Sequence, residues 1–179
     1  EKQKHEYYHG VATADDYMLA ITMMRYATSH YLPLHTYFDT VGGDPFTLSA
    51  KKLQAWLISE CIATMITIPT PTISVIVGQG GSGGALALQV ADRQLMLDGA
   101  AQSTGAFYSV IDPKGGAPIL FYKEDDAYIA AMIDILQPTA DDMLRYRVID
   151  EIIPEASPDA SEYKSATTNE IKRRLDNVM

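Results

Sequence analysis

The sequence predicts an α/β fold, and three observations carry that reading. Strand-like and helix-like apolar patterns alternate along most of the chain. An apolar run, Ile73 to Val77 with Ser74 among it, passes straight into Gly78, Gly80, Gly81, Gly83 and Gly84, and a helix-forming stretch over 85–90 follows. Finally, 179 residues, 47% of them hydrophobic, suffice for one domain with a core of its own.

In chain order, the spacing predicts a helix over 15–31. Thr13 or Asp15 caps it, and Tyr17, Ala20, Ile21, Met24 and Ala27 share one face. Pro33 stops it, and a short buried strand follows over 34–38. The segment 39–45, DTVGGDP, reads as a loop with two adjacent glycines. Ser49 caps a second helix, along which Leu53, Trp56, Leu57, Ile58, Cys61 and Met65 fall at helical spacing. The prolines of 69–72 end it. The strand over 73–77, the glycine turn and its helix come next. A strand over 93–97, a small-residue loop over 98–105 and a strand-like stretch over 108–111 follow. DPKGG, 112–116, is a turn feeding a short helix to 120. Helices over 125–136 and 138–146, a strand over 148–153, a linker over 154–158 and a charged helical tail over 159–179 complete the chain. No repeat divides it, so one domain over 1–179 is expected.

Composition excludes several function classes. A net charge of -9 argues against a nucleic-acid partner or an acidic membrane surface. No apolar run approaches the roughly 20 residues that a membrane span needs. The opening, EKQKHEYYHG, lacks the apolar core of a secretory signal, so a cytoplasmic location is the default expectation. It also lacks an initiator Met, which reads as a processed or trimmed chain. Cys61 is the single cysteine, so neither an internal disulfide nor a cysteine metal site is expected.

The glycine run concentrates the chemistry. A strand that breaks into glycines and then starts a helix brings bare N–H groups to one point, where the helix dipole adds positive potential. Three readings fit. Gly78, Gly80 and Gly83, with Asp98 after the next strand, satisfy the dinucleotide pattern of a nicotinamide-dependent oxidoreductase. Gly80, Ser82 and Gly84 satisfy G-x-S-x-G, the elbow of a serine hydrolase, although His5, His9, His30 and His35 all precede Ser82. The third reading is a backbone oxyanion hole of the crotonase type, with one N–H from the Gly42–Gly43 loop and one from Gly80–Gly81. Asp39, which ends the strand before the first glycine loop, either orients that loop or caps its turn. Cys61 reads as core, and Asp141 and Asp142 as helix N-terminal charges.

At these residues the chain resembles the carboxyltransferase alpha subunit of bacterial acetyl-CoA carboxylase, a member of the crotonase superfamily. GQGGSGGALAL, residues 78–88, stands against the family's GEGGSGGALAL. RVIDEIIPEA, 147–156, stands against GVIDEIIPEP, and YSVIDPKGGAPIL, 108–120, against a pattern close to YS–SPEG–A–IL. FDTVGGDPF, 38–46, corresponds to FIDTPGAYPG. The likeness runs over about residues 10–156, and the family's N-terminal portion is absent. Against the family pattern, Asp44 stands beside the glycine pair and Lys114 replaces an acid.

The resemblance implies a crotonase-like (ClpP/crotonase) ββα superhelix. It implies transfer of a carboxyl group from carboxybiotin, presented by a biotin carboxyl carrier protein, to acetyl-CoA, giving malonyl-CoA for fatty acid biosynthesis. Gly80 and Gly81 are then first choice as oxyanion donors or turn formers, with Gly42 and Gly43 second. Gly78, Ser82, Gly83, Lys114 and Gly115 would line the substrate. A carboxyltransferase beta-like subunit is the implied partner in a hetero-oligomer, with CoA thioester as substrate and no metal on this chain. A catalytically silent paralogue acting as scaffold or regulator of the carboxylase is the alternative the same residues allow.

Overall fold

The structure, a computed structural model, describes residues 10–99, 106–155 and 163–178. The expectations placed on His5 and His9, on 100–105 and on the linker beyond 155 lie outside the described residues. β1 (Val11–Ala12) leads into α1 (Ala14–Ser29), β2 (Leu34–Thr40) and β3 (Gly42–Gly43). α2 (Thr47–Lys51) and α3 (Gln54–Thr67) return the chain to β4 (Thr72–Gly81), which runs into α4 (Ser82–Gln89) and β5 (Arg93–Leu97). β6 (Phe107–Ser109), α5 (Pro113–Phe121), α6 (Asp126–Leu136), α7 (Ala140–Arg145), β7 (Glu151–Ile153) and α8 (Tyr163–Val178) follow.

The main sheet is parallel, in the order β2-β4-β5-β7. β4 is its axis, and Thr72 to Ile76 are all buried. A parallel strand covered on both faces needs such a mostly apolar run, and the buried Ser74 hydroxyl within it donates to Gln89 O at 2.7 Å. On one flank β4 meets two partners in succession: Ile73–Ile76 pair with Arg93–Met96, and Gln79–Gly81 pair with Phe107–Ser109. On the other flank the register with β2 shifts by two residues, from Phe38 opposite Ile76 to Thr40 opposite Gly80. Gly78, Gly80 and Gly81 therefore belong to the strand, and Gly83 and Gly84 to α4. The expected glycine turn shrinks to Ser82, where φ is 57°.

Two clusters form the core. Tyr17, Ile21, Met24, Leu57, Cys61, Met65 and Ala87 join α1, α3 and α4. Phe38, Val75, Ile76, Leu95, Met96, Met143, Ile153 and Leu175 join the sheet to α7 and α8. The expected face of α1 is buried, with Ala20 at its margin. The second helix is where the sequence reading fails. Leu53 takes a left-handed φ of 61° and splits it into α2 and α3. Ser49 is no cap; it lies inside α2 and donates to Asp44 Oδ2 at 2.5 Å. The restart turns Gln54, Leu57, Cys61 and Met65 inward and leaves Leu53 and Trp56 exposed. The loop expected over 39–45 contains β3, which pairs with β1. The charged tail packs through Ile171 and Leu175, while Arg174 pairs with Glu151 and Glu170.

The start of β4 is held by one carboxylate. Asp92 Oδ2 accepts from Thr72 N at 2.8 Å and Thr72 Oγ1 at 2.9 Å, and Asp92 N donates back to Thr72 Oγ1 at 2.8 Å. Bonds to a charged acceptor are worth about 1.5–3 kcal/mol when buried and less at an exposed group such as this. Asp92→Ala should cost about 1–2 kcal/mol and lower the melting temperature by roughly 2–8 °C, as followed by far-UV circular dichroism.

Candidate active site at the glycine junction

β4 and β6 run parallel and end together, so α4 and the turn into α5 leave the sheet at its carboxyl edge. Ligands of open α/β sheets collect at that edge. Two helix N-termini meet there, and they differ. In α5 the Asp112 side chain accepts from Gly115 N at 3.2 Å, so that terminus is capped. In α4 the N-cap is Gly81, which has no side chain to offer. The first-turn N–H groups of α4, including those of Gly83 and Gly84, have no intrahelical acceptor.

Each glycine sits where a side chain would collide with, or bend, something specific. A Cβ on Gly78 would lie 2.5 Å from the Asp39 carboxylate, which accepts from Gln79 N at 2.7 Å. Asp39 thus orients the glycine segment. A Cβ on Gly80 would lie 2.7 Å from the Tyr108 ring, whose hydroxyl burial holds above the usual tyrosine range. A Cβ on Gly81 would lie 2.1 Å from Val41 O. A Cβ on Gly84 would meet Gly43 N at 2.4 Å, Gly42 C at 2.6 Å and Tyr17 Oη at 2.6 Å. The Gly42–Gly43 segment therefore rests directly on the first turn of α4. By contrast, Gly83 and Gly115 have ordinary space around them.

The N–H groups of the first glycine segment are mostly committed. Gly42 N donates to Thr40 Oγ1 at 3.2 Å and Asp44 N to Ala12 O at 2.8 Å. Gly43 N has no side-chain acceptor among the described residues. Gly42 itself has φ 139°, a conformation open to glycine and costly to other residues. Asp44 does not point its charge at the pair; it accepts from Ser49 Oγ and from Phe46 N.

The predicted site residues are thus brought together at one edge. Gly80 and Gly81 lie inside the ladder, between Thr40 on one side and Tyr108 and Ser109 on the other. The first-turn N–H groups of Gly83 and Gly84 in α4, which have no intrahelical acceptor, lie beside them, with Gly43 N against Gly84. Ser82 is exposed, and Lys114 is exposed in the first turn of α5. Sequence reasoning missed Tyr17, which it placed in the apolar core, and Thr40, whose hydroxyl also donates to Gly10 O at 2.6 Å.

The two other motif readings find less support here. Gly78 and Gly80 are strand residues, so they build no phosphate-binding turn. Ser82 has the positive φ of an elbow, but His30 caps the far end of α1 and His35 pairs with Ile73 at the opposite end of β4. Among the described residues no imidazole accompanies Ser82. Cys61 supplies no nucleophile either: burial, with Glu60 beside it, pushes its thiol up to about 11. No helix among the described residues is long and apolar enough to cross a membrane.

Known proteins resemble this chain in sequence and in fold. The family model for acetyl co-enzyme A carboxylase carboxyltransferase-like proteins matches residues 1–179. The chain is 40% identical over 166 residues to the acetyl-coenzyme A carboxylase carboxyl transferase subunits beta/alpha of Salinispora arenicola, covering 93% of this chain and 28% of that protein. It is 36% identical to the carboxyl transferase subunit alpha of Thermus thermophilus, covering 93% of this chain and 51% of that protein. It therefore spans about half the length of such an alpha subunit. Among solved structures, a Pseudomonas malonate decarboxylase hetero-tetramer in complex with coenzyme A superposes with TM-score 0.74 at 13% identity, covering 95% of this chain and 68% of that one. At that identity the likeness speaks for the fold alone, and the fold is crotonase-like α/β.

Proposed function

The chain belongs to the acetyl co-enzyme A carboxylase carboxyltransferase-like family, and from that premise we propose that it moves a carboxyl group from carboxybiotin on a carrier protein to acetyl-CoA. The observation that carries the reading is the uncapped first turn of α4 set directly against the Gly42–Gly43 segment. Backbone donors at that junction polarise the transferring carboxylate or the developing enolate of the thioester. The α4 dipole adds to them, and neither needs a proton from a side chain. Gly80 and Gly81 are strand residues, and the missing side chain of Gly81 lets β4 pass under Val41. Gly78 gives room to the Asp39 carboxylate that steadies the segment. Lys114 and Gly115 stand at the same edge, where an anionic substrate passes.

The exposed edge supports a site completed by a second chain, in this reading a carboxyltransferase beta-like subunit that holds the CoA thioester. The test is the reverse reaction: malonyl-CoA decarboxylation dependent on biocytin, by this chain combined with its beta-like subunit. Turnover requiring both chains supports carboxyl transfer. A stable but inactive pair, beside an active control pair, refutes it and leaves a scaffold.

A further inference from the structure

Resting on the reading above, we propose that Tyr17 is the positioning residue of the Gly43 donor: its hydroxyl is the acceptor that keeps the Gly43 N–H turned toward α4 before substrate arrives. Tyr17 is 1% exposed, and its Oη has no hydrogen-bond partner among the described residues. That oxygen and Gly43 N lie 2.6 and 2.4 Å from the same point, where a Cβ on Gly84 would stand, so they are at most 5 Å apart. The N–H groups on either side of Gly43 have acceptors in Thr40 Oγ1 and Ala12 O. Gly43 N is the one of the three for which no side-chain acceptor stands among the described residues.

A buried hydroxyl is unfavourable when unpaired. Here it lies within 5 Å of the half-buried Gly43 amide, beside Gly84. A small shift of the Gly42–Gly43 segment joins them directly. Gln54 is the competing acceptor, its Oε1 buried and without a partner among the described residues, but its side chain approaches the Cα side of Gly43, with the amide nitrogen 2.4 Å from where a Cβ would stand. Tyr17 suits the role chemically. Burial, with Cys61 and Asp16 adding to it, raises its ionisation above the usual tyrosine range, so the hydroxyl keeps its proton at working pH. By touching Gly84 as well, the side chain fixes both donor elements at once.

The test is Tyr17→Phe in the full chain, read three ways. Gly43 amide hydrogen exchange, followed by NMR, should rise roughly tenfold. The melting temperature should fall by a few degrees at most, because the variant leaves a single N–H without its acceptor and the ring packing intact. In the pair with the beta-like subunit, kcat should fall with KM within about twofold, the pattern of a lost transition-state interaction. Unchanged Gly43 exchange overturns the proposal. So does a melting temperature several degrees lower with faster exchange throughout, which marks a merely structural hydroxyl. Should the native pair show no turnover, the carboxyl-transfer reading falls alone, and the exchange result still decides the role of Tyr17.

Discussion

Gly81→Ala will lower the melting temperature by roughly 6–12 °C and abolish carboxyl transfer. The added methyl would stand 2.1 Å from Val41 O and 2.5 Å from Val41 C. These are backbone atoms, so no rotamer change relieves the contact. Overpacking costs about 1–3 kcal/mol where side chains can yield, and more where they cannot. The strand must therefore part from the segment that carries Gly42 and Gly43. Gly83→Ala is the matched control. Its Cβ meets nothing closer than Ile58 Cγ2 at 3.8 Å, and alanine gains helix propensity of about 1 kcal/mol. Differential scanning calorimetry of the two variants should therefore show opposite shifts.

Gly84→Ala separates geometry from stability. Its methyl would press on Gly43 N at 2.4 Å, Gly42 C at 2.6 Å and Tyr17 Oη at 2.6 Å. Part of the strain is offset by the helix propensity of alanine, about 1 kcal/mol. The net loss of stability should be about 2 kcal/mol or more, because the nearest atoms are again backbone. The catalytic effect should be large, because the methyl drives the Gly42–Gly43 segment away from α4. A displacement of about 1 Å in a reacting array costs roughly 100-fold. Biocytin-dependent decarboxylation of malonyl-CoA should fall by that factor or more, while circular dichroism at 25 °C stays native.

Much of this fold was legible in the sequence. The mostly apolar run from Ile73 to Val77 needs a strand covered on both faces. Tyr17, Ile21, Met24 and Ala27 could bury together only on a helix. The clustered glycines marked the junction because nothing else in the chain tolerates such close backbone approach. What stayed hidden depends on partners far away in sequence. The pairing of Val11 and Ala12 with Gly42 and Gly43 offers too few residues to leave a pattern. The left-handed Leu53 carries no signal, since leucine gives no hint of positive φ. That Gly78 to Gly81 continue the strand depends on Phe107–Ser109 being there to pair with them. Tyr17 looked like core because its ring is core; a hydroxyl on an otherwise apolar face was the signal that it reached something polar.

The central claim is that backbone N–H groups at this junction do the polarising. The most direct measurement replaces the peptide bond at Gly83 with an ester, which removes its N–H and adds no atom that could collide. The readout is the rate of biocytin-dependent malonyl-CoA decarboxylation in the pair with the beta-like subunit. Loss of one oxyanion donor predicts a rate lower by roughly 100- to 1,000-fold, with the melting temperature within a few degrees of native. A rate within about threefold of native, in a chain shown to carry the ester, would contradict the claim and move the polarising groups off α4.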